Sequence, residues 1–133
     1  MARSSARIAF VAVAWLFVAC IVAQLFLAGL GVFRAAADFA THRDFGYAFG
    51  WLTLVLLVLA LAARAPRVQV GLSVILLVQF ALQSVFIALR RDSPELAALH
   101  PLNGAIMLAV ALVLARSAWR AYRAADGTGG IAT

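Results

Sequence analysis

The chain has 133 residues, 66% of them hydrophobic, with a mean hydropathy of +1.04. A soluble domain is about 45–50% apolar, so this composition excludes a water-soluble globule and calls for a single domain in a lipid bilayer. The formal charge is +6 and all eleven basic residues are arginine; they gather at the ends of apolar runs, which fits membrane orientation and excludes nucleic-acid binding as their purpose.

Residues 1–7 carry Arg3 and Arg7 and no acid. Ile8 to Leu30 follow as 23 uncharged residues, enough for a spanning helix, which needs about 20. The opening has the outline of a signal peptide, with Ala35-Ala36-Ala37 as a cleavage pattern. Its apolar run is longer than the usual ~7–15 residues, so a retained first helix is expected. A connector holds Arg34, Asp38, Arg43 and Asp44, and the second span is placed at 45–63.

Arg64-Ala65-Pro66-Arg67 reads as a basic turn, with Pro66 stopping the helix. The third span is placed at 68–89 and the fourth at 97–115. Between them, Ser93 is expected to cap a helix start, with Pro94 at its first position and Glu95 in its first turn. A bend is expected at Pro101, which has no N–H to donate. One domain is therefore expected over residues 1–125, an all-α integral-membrane four-helix bundle, followed by a disordered glycine-rich tail at 126–133.

With four spans, Arg3, Arg7, Arg64, Arg67, Arg116, Arg120 and Arg123 share one side with the single acid Asp126. The other side balances four arginines against Asp38, Asp44, Asp92 and Glu95. Positive residues favour the cytoplasm, so both termini are expected to be cytoplasmic. The arginine-only basic set points to a GC-rich coding genome, and the expected location is a bacterial inner membrane.

The two halves echo each other. Thr41-His42-Arg43-Asp44-Phe45-Gly46 opens the second span, and Leu99-His100-Pro101-Leu102-Asn103-Gly104 opens the fourth. Both read His-x-x-x-Gly, and these are the protein's two histidines, 58 residues apart. Gln24 lies 18 residues before His42; Gln79 and Gln83 lie 21 and 17 before His100. The halves read as parallel helical-hairpin repeats, related by an axis along the membrane normal. Such an axis sets spans two and four across from one another, with their histidines at equal depth.

Two imidazoles facing across a bundle are able to ligate one haem iron from both sides. Residue i+4 shares a helix face with residue i, so Gly46 and Gly104 lie beneath their histidines and offer bare backbone to a macrocycle. Arg34, Arg43, Arg90 and Arg91 are candidates to pair with haem propionates. Gln24 and Gln83 are candidate acceptors for the second imidazole N–H. The expected function is a small b-type haem protein in electron transfer, redox sensing or haem handling, with a membrane redox partner.

The same residues have plainer readings. The glycines, with Gly50, serve close helix packing, and the glutamines serve as interhelical hydrogen-bond glue. His42 is then simply wet, and Trp15, Trp51 and Trp119 serve packing or the interface. The alternative function is a cofactor-free accessory or scaffold subunit of a larger membrane complex. A lone Cys20 excludes an internal disulfide or a paired-cysteine redox centre and reads as a core residue. No span holds the carboxylate of a proton-coupled exporter, and no phosphate loop or nucleophile triad is present; enzymatic activity is not expected.

The paired histidines resemble those of the four-helix halves of haem A synthase, where second and fourth helices offer histidines near the outer face. Ala97 to Gly104 also fits the Ala-x-Leu-His-Pro-x-Asn-Gly segment of an uncharacterised family of small bacterial four-helix membrane proteins. The resemblance implies a membrane b-type haem bundle with His42 and His100 as axial ligands. Haem A synthase has eight helices and two haem positions, so its oxidative chemistry does not carry over unless two chains pair as a homodimer.

Overall fold

The computed structural model describes residues 2–127. Helix α1 spans Ala2–Phe33, and a single 3-10 turn at Ala36–Asp38 leads into α2 (Phe39–Gly50) and α3 (Leu52–Ala62). Then come α4 (Arg67–Ala88), a one-turn α5 (Pro94–Ala97) and α6 (Leu99–Gly127). Four helical stretches are long and apolar enough to cross a membrane: Ser4–Phe33, Ala36–Ala62, Arg67–Ala88 and Pro94–Ala125. The protein is an all-helical, multi-pass membrane bundle, with no strand among the described residues.

Each span packs on its neighbours in sequence, and α1 against α6 closes the ring. Spans two and four therefore stand on a diagonal. The core lies where stripes at three- and four-residue spacing meet. Phe10, Ala14, Phe17 and Ile21 come from α1, and Met107, Ala111, Leu114 and Ala118 from α6. Leu56 and Ala60 of α3 and Leu76 of α4 complete it. The outward faces stay apolar, as lipid requires; Phe26, Val58, Val78 and Val113 are all more than half exposed. Cys20 packs against this core as a free thiol.

Several boundaries differ from those drawn at charges. The second span's helix begins at Phe39 rather than Phe45, and the fourth runs through Arg116, Arg120 and Arg123 to Gly127 rather than ending near Ala115. Arginine is a good helix former, so charge marks the edge of the lipid and not the end of the hydrogen-bond ladder. Asp126 and Gly127 thus belong to α6 rather than to a tail; the remainder of the expected tail lies outside the described residues.

The fourth span breaks at Ala98, one turn before Pro101. Pro101 has no N–H for the Ala97 carbonyl, and its ring crowds that oxygen, so the interruption appears a turn upstream of the proline. Ser93 precedes α5, but its side chain makes no cap bond; the Leu96 and Ala97 N–H groups bond its carbonyl instead, both at 3.1 Å. The second span breaks without proline, at Trp51. There the Thr53 hydroxyl donates to the Gly50 carbonyl at 2.8 Å, and such back-bonding bends helices. The Phe80 ring of α4 fills the space a Gly50 side chain would take.

Candidate functional site

His42 sits in the first turns of α2 and His100 at the start of α6, on the diagonal of the bundle. Their ring centroids are 6.2 Å apart and the ring planes meet at 69°. Both residues are half-buried. Phe39 closes on His42 from its own helix, edge-on at 6.2 Å.

Each imidazole is tethered by the span before it. His42 Nδ1 lies 3.1 Å from the Gln24 carbonyl, and His100 Nδ1 lies 3.2 Å from the Gln83 carbonyl. A carbonyl oxygen only accepts, so Nδ1 carries the proton in both rings and Nε2 presents its lone pair. A second imidazole nitrogen held this way is the usual support of a metal-binding histidine.

The side chains of the same glutamines complete each tether. Gln24 Nε2 donates to the His42 carbonyl at 2.8 Å and lies 3.3 Å from His42 Nε2. Gln83, with its amide turned to put nitrogen toward α6, donates to the His100 carbonyl at 2.9 Å and accepts from the Gly104 N–H at 3.3 Å. The partner of His100 is thus Gln83. Gln79 is buried elsewhere, its backbone carbonyl taking a 2.9 Å bond from Asn103 Nδ2. The side-chain oxygens of Gln24 and Gln79 are buried without a hydrogen-bond donor.

The glycines are placed differently from the expectation. A methyl on Gly46 would meet Gln24 Nε2 at 2.8 Å, and one on Gly104 would meet the Gln83 amide at 3.1 Å. Their bare faces admit the glutamine amides of the neighbouring spans, so the backbone there does not lie open to a macrocycle. Gly50 is covered by Phe80 in the same way.

The four arginines sit at the histidine end but not as a set of unengaged cations. Arg34 donates to both carboxylate oxygens of Asp38, at 2.7 and 2.8 Å, and Arg43 pairs with Asp44 at 2.8 Å. Arg90 bonds the Ile87 carbonyl at 3.2 Å, and Arg91 is exposed on the same turn. Sequence reasoning missed one polar seam: Gln69, buried in α4, donates to the Ser117 hydroxyl of α6 at 3.0 Å. The only available signal was a glutamine within an apolar run.

Chemically, the pair brings two imidazole rings together at one level of the bundle. With metal–nitrogen bonds of about 2 Å and each nitrogen about 1.1 Å from its ring centre, ligation from both sides sets centroids about 6 Å apart. The angle between planes is not constrained, because the nitrogen–metal–nitrogen axis lies in both. No cluster of three or more His, Cys, Asp or Glu that would hold a metal ion occurs among the described residues.

A family of unknown function (DUF6220) matches residues 24–89. That stretch includes Gln24, His42, Gly46 and Gln83 and stops short of His100. No curated protein and no solved structure significantly matches the chain.

Proposed function

We propose that the protein is a small membrane haem protein, with His42 and His100 as the axial ligands of one b-type haem. The observation that carries this reading is the close imidazole pair, 6.2 Å between centroids, with Nδ1 of each ring bound to a backbone carbonyl. The matched Gln–His tethers also favour a bundle built from two repeated hairpins. Ligand type, tautomer and the spacing of the ring centres support the reading.

The fit has two costs, the first being that the Gln24 and Gln83 amides occupy the glycine faces. The second is that ligation at His42 Nε2 requires the Gln24 amide to give up its 3.3 Å contact while keeping the 2.8 Å bond to the His42 carbonyl. When bound, the haem supplies one-electron redox chemistry. The chain's own part is to fix both imidazoles from the preceding spans and to hold the pair between apolar helices. Of the four arginines at the histidine end, Arg90 and Arg91 have no ion pair among the described residues, and they are the candidates to meet propionates. With the arginine-rich end cytoplasmic, the pair lies toward the outer leaflet, and electron exchange across the membrane needs a redox partner.

A second reading has its own support. Gln24, Gln83 and Phe80 fill the glycine faces as interhelical packing does, which favours a cofactor-free subunit of a larger assembly. The absorption spectrum of detergent-purified protein, expressed with ample haem, separates the two. The haem reading expects a Soret band with a low-spin bis-imidazole spectrum, lost in His42→Ala and in His100→Ala. Absence of the band, or a spectrum unchanged in both variants, establishes the packing reading.

A further inference from the structure

At the opposite end of the bundle from the histidines, a cleft of about 300 Å³ opens between α1, the α3–α4 turn and α6. It is at the small end of ligand pockets, which run from about 300 Å³. Arg7, Arg64, Gln69 and Tyr122 line it, with alanines and Pro66 between them. Among the described side chains no acid lines it, and this end carries Arg7, Arg64, Arg67, Arg116, Arg120 and Arg123; Asp126 is the one acid the sequence sets at this end. Both ion pairs among the described residues lie at the histidine end.

The backbone supplies a second observation. Arg64 has φ 51°, the one non-glycine residue with positive φ among those described. It occupies the position after the helix end where glycine is the usual choice. The motif is complete around it: the Arg64 N–H bonds the Leu61 carbonyl at 3.0 Å, and the Ala65 N–H bonds the Ala60 carbonyl at 2.9 Å. Glycine would close this turn without the steric cost of a side chain in the left-handed region. The chain instead carries an arginine there, and Arg64 borders the cleft. Strained positions of this kind mark binding sites.

The cleft lies where the apolar runs give way to arginines, which in a bilayer corresponds to the headgroup region. The apolar run of α3 stops at Ala62, and Trp119, an interfacial residue type, stacks on Tyr122 at 6.0 Å between centroids. We propose that this cleft binds a phosphate group, with Arg7 and Arg64 as its two cationic donors. Guanidinium groups meet phosphate oxygens through paired hydrogen bonds, and Gln69 adds a neutral polar wall. At this depth the phosphate is that of an anionic phospholipid headgroup or a soluble phosphate entering from the aqueous side. The inference is independent of the haem reading, since it involves neither histidine.

Full-length protein in zwitterionic micelles is titrated with phosphatidylglycerol, with phosphatidylcholine, and separately with inorganic phosphate. Bound species are counted by native mass spectrometry. One phosphatidylglycerol is expected to be retained, at least tenfold more tightly than phosphatidylcholine. Arg64→Gly and Arg7→Gln are each expected to weaken it at least tenfold. Competition of inorganic phosphate with the lipid at millimolar concentration assigns the site to the soluble ion. Arg64→Gly relieves the turn, so its loss of ligand is not attributable to unfolding, which circular dichroism of the same sample checks. Equal retention of both lipids, or undiminished phosphatidylglycerol binding by both variants, overturns the assignment.

Discussion

Arg64→Gly is expected to stabilise the bundle, against the general trend that substitutions destabilise. Arg64 holds φ 51°, and a side chain in that region costs roughly 1–2 kcal/mol through Cβ crowding against the following carbonyl. Glycine removes the crowding but gives back roughly 0.5–1 kcal/mol in the greater freedom of its unfolded chain. The net is a gain of about 0.5–1 kcal/mol, a two- to fivefold change in the folded-to-unfolded ratio. Both hydrogen bonds of the turn are backbone bonds, at 3.0 and 2.9 Å, and survive the substitution. Arg64→Ala keeps Cβ and is expected to stay within about 0.5 kcal/mol of the parent. The assay is unfolding by increasing mole fraction of sodium dodecyl sulfate in zwitterionic micelles free of anionic lipid, followed by circular dichroism. If Arg64→Gly is no more stable than Arg64→Ala, the left-handed turn is not a source of strain and the reasoning fails.

The two glycines under the histidines are expected to differ. Gly46→Ala puts a methyl 2.8 Å from Gln24 Nε2 and displaces a bonded amide, whereas Gly104→Ala meets Gln83 at 3.1 Å and needs only a small adjustment. The first loses an interhelical hydrogen bond of about 0.6–2 kcal/mol in the membrane against about 1 kcal/mol of helix propensity gained. The second keeps the gain, so Gly104→Ala is the more stable of the two in the same titration; the reverse order contradicts the packing described. Phe17→Ala, at a fully buried position, is expected to cost about 2 kcal/mol, below the 3–5 of soluble cores, because lipid is as apolar as the interior and only the cavity contribution remains. A cost above about 4 kcal/mol would show that the unfolded state exposes Phe17 to water. Asn103→Ala removes the 2.9 Å bond to the Gln79 carbonyl and is expected to cost about 1 kcal/mol; no change would make that bond dispensable.

Hydropathy alone locates four spans, because in lipid a helix must be long and apolar whatever it packs against. The diagonal meeting of His42 and His100 is also readable, since it needs only the matched motif and the number of spans between them. What escapes is set by contacts distant in sequence. Nothing in Gly46 or Gly104 reveals that a glutamine amide, rather than a flat ligand, occupies the space beside it; that depends on how closely α1 approaches α2 and α4 approaches α6. The break at Trp51 has no proline to announce it, and the left-handed Arg64 carries no glycine signal. The extension of α6 past Ala115 is hidden because arginine ends an apolar run without ending a helix.

The diagonal has a consequence for assembly. One imidazole belongs to the hairpin of α1 with α2 and α3, the other to the hairpin of α4 with α6, and the two hairpins meet along the α3–α4 and α1–α6 seams. Neither fragment owns both imidazoles. A chain cut within the Arg64–Arg67 turn and expressed as two pieces therefore recovers the paired imidazoles only where both seams zip together, which makes the centre a reporter of complementation between the fragments.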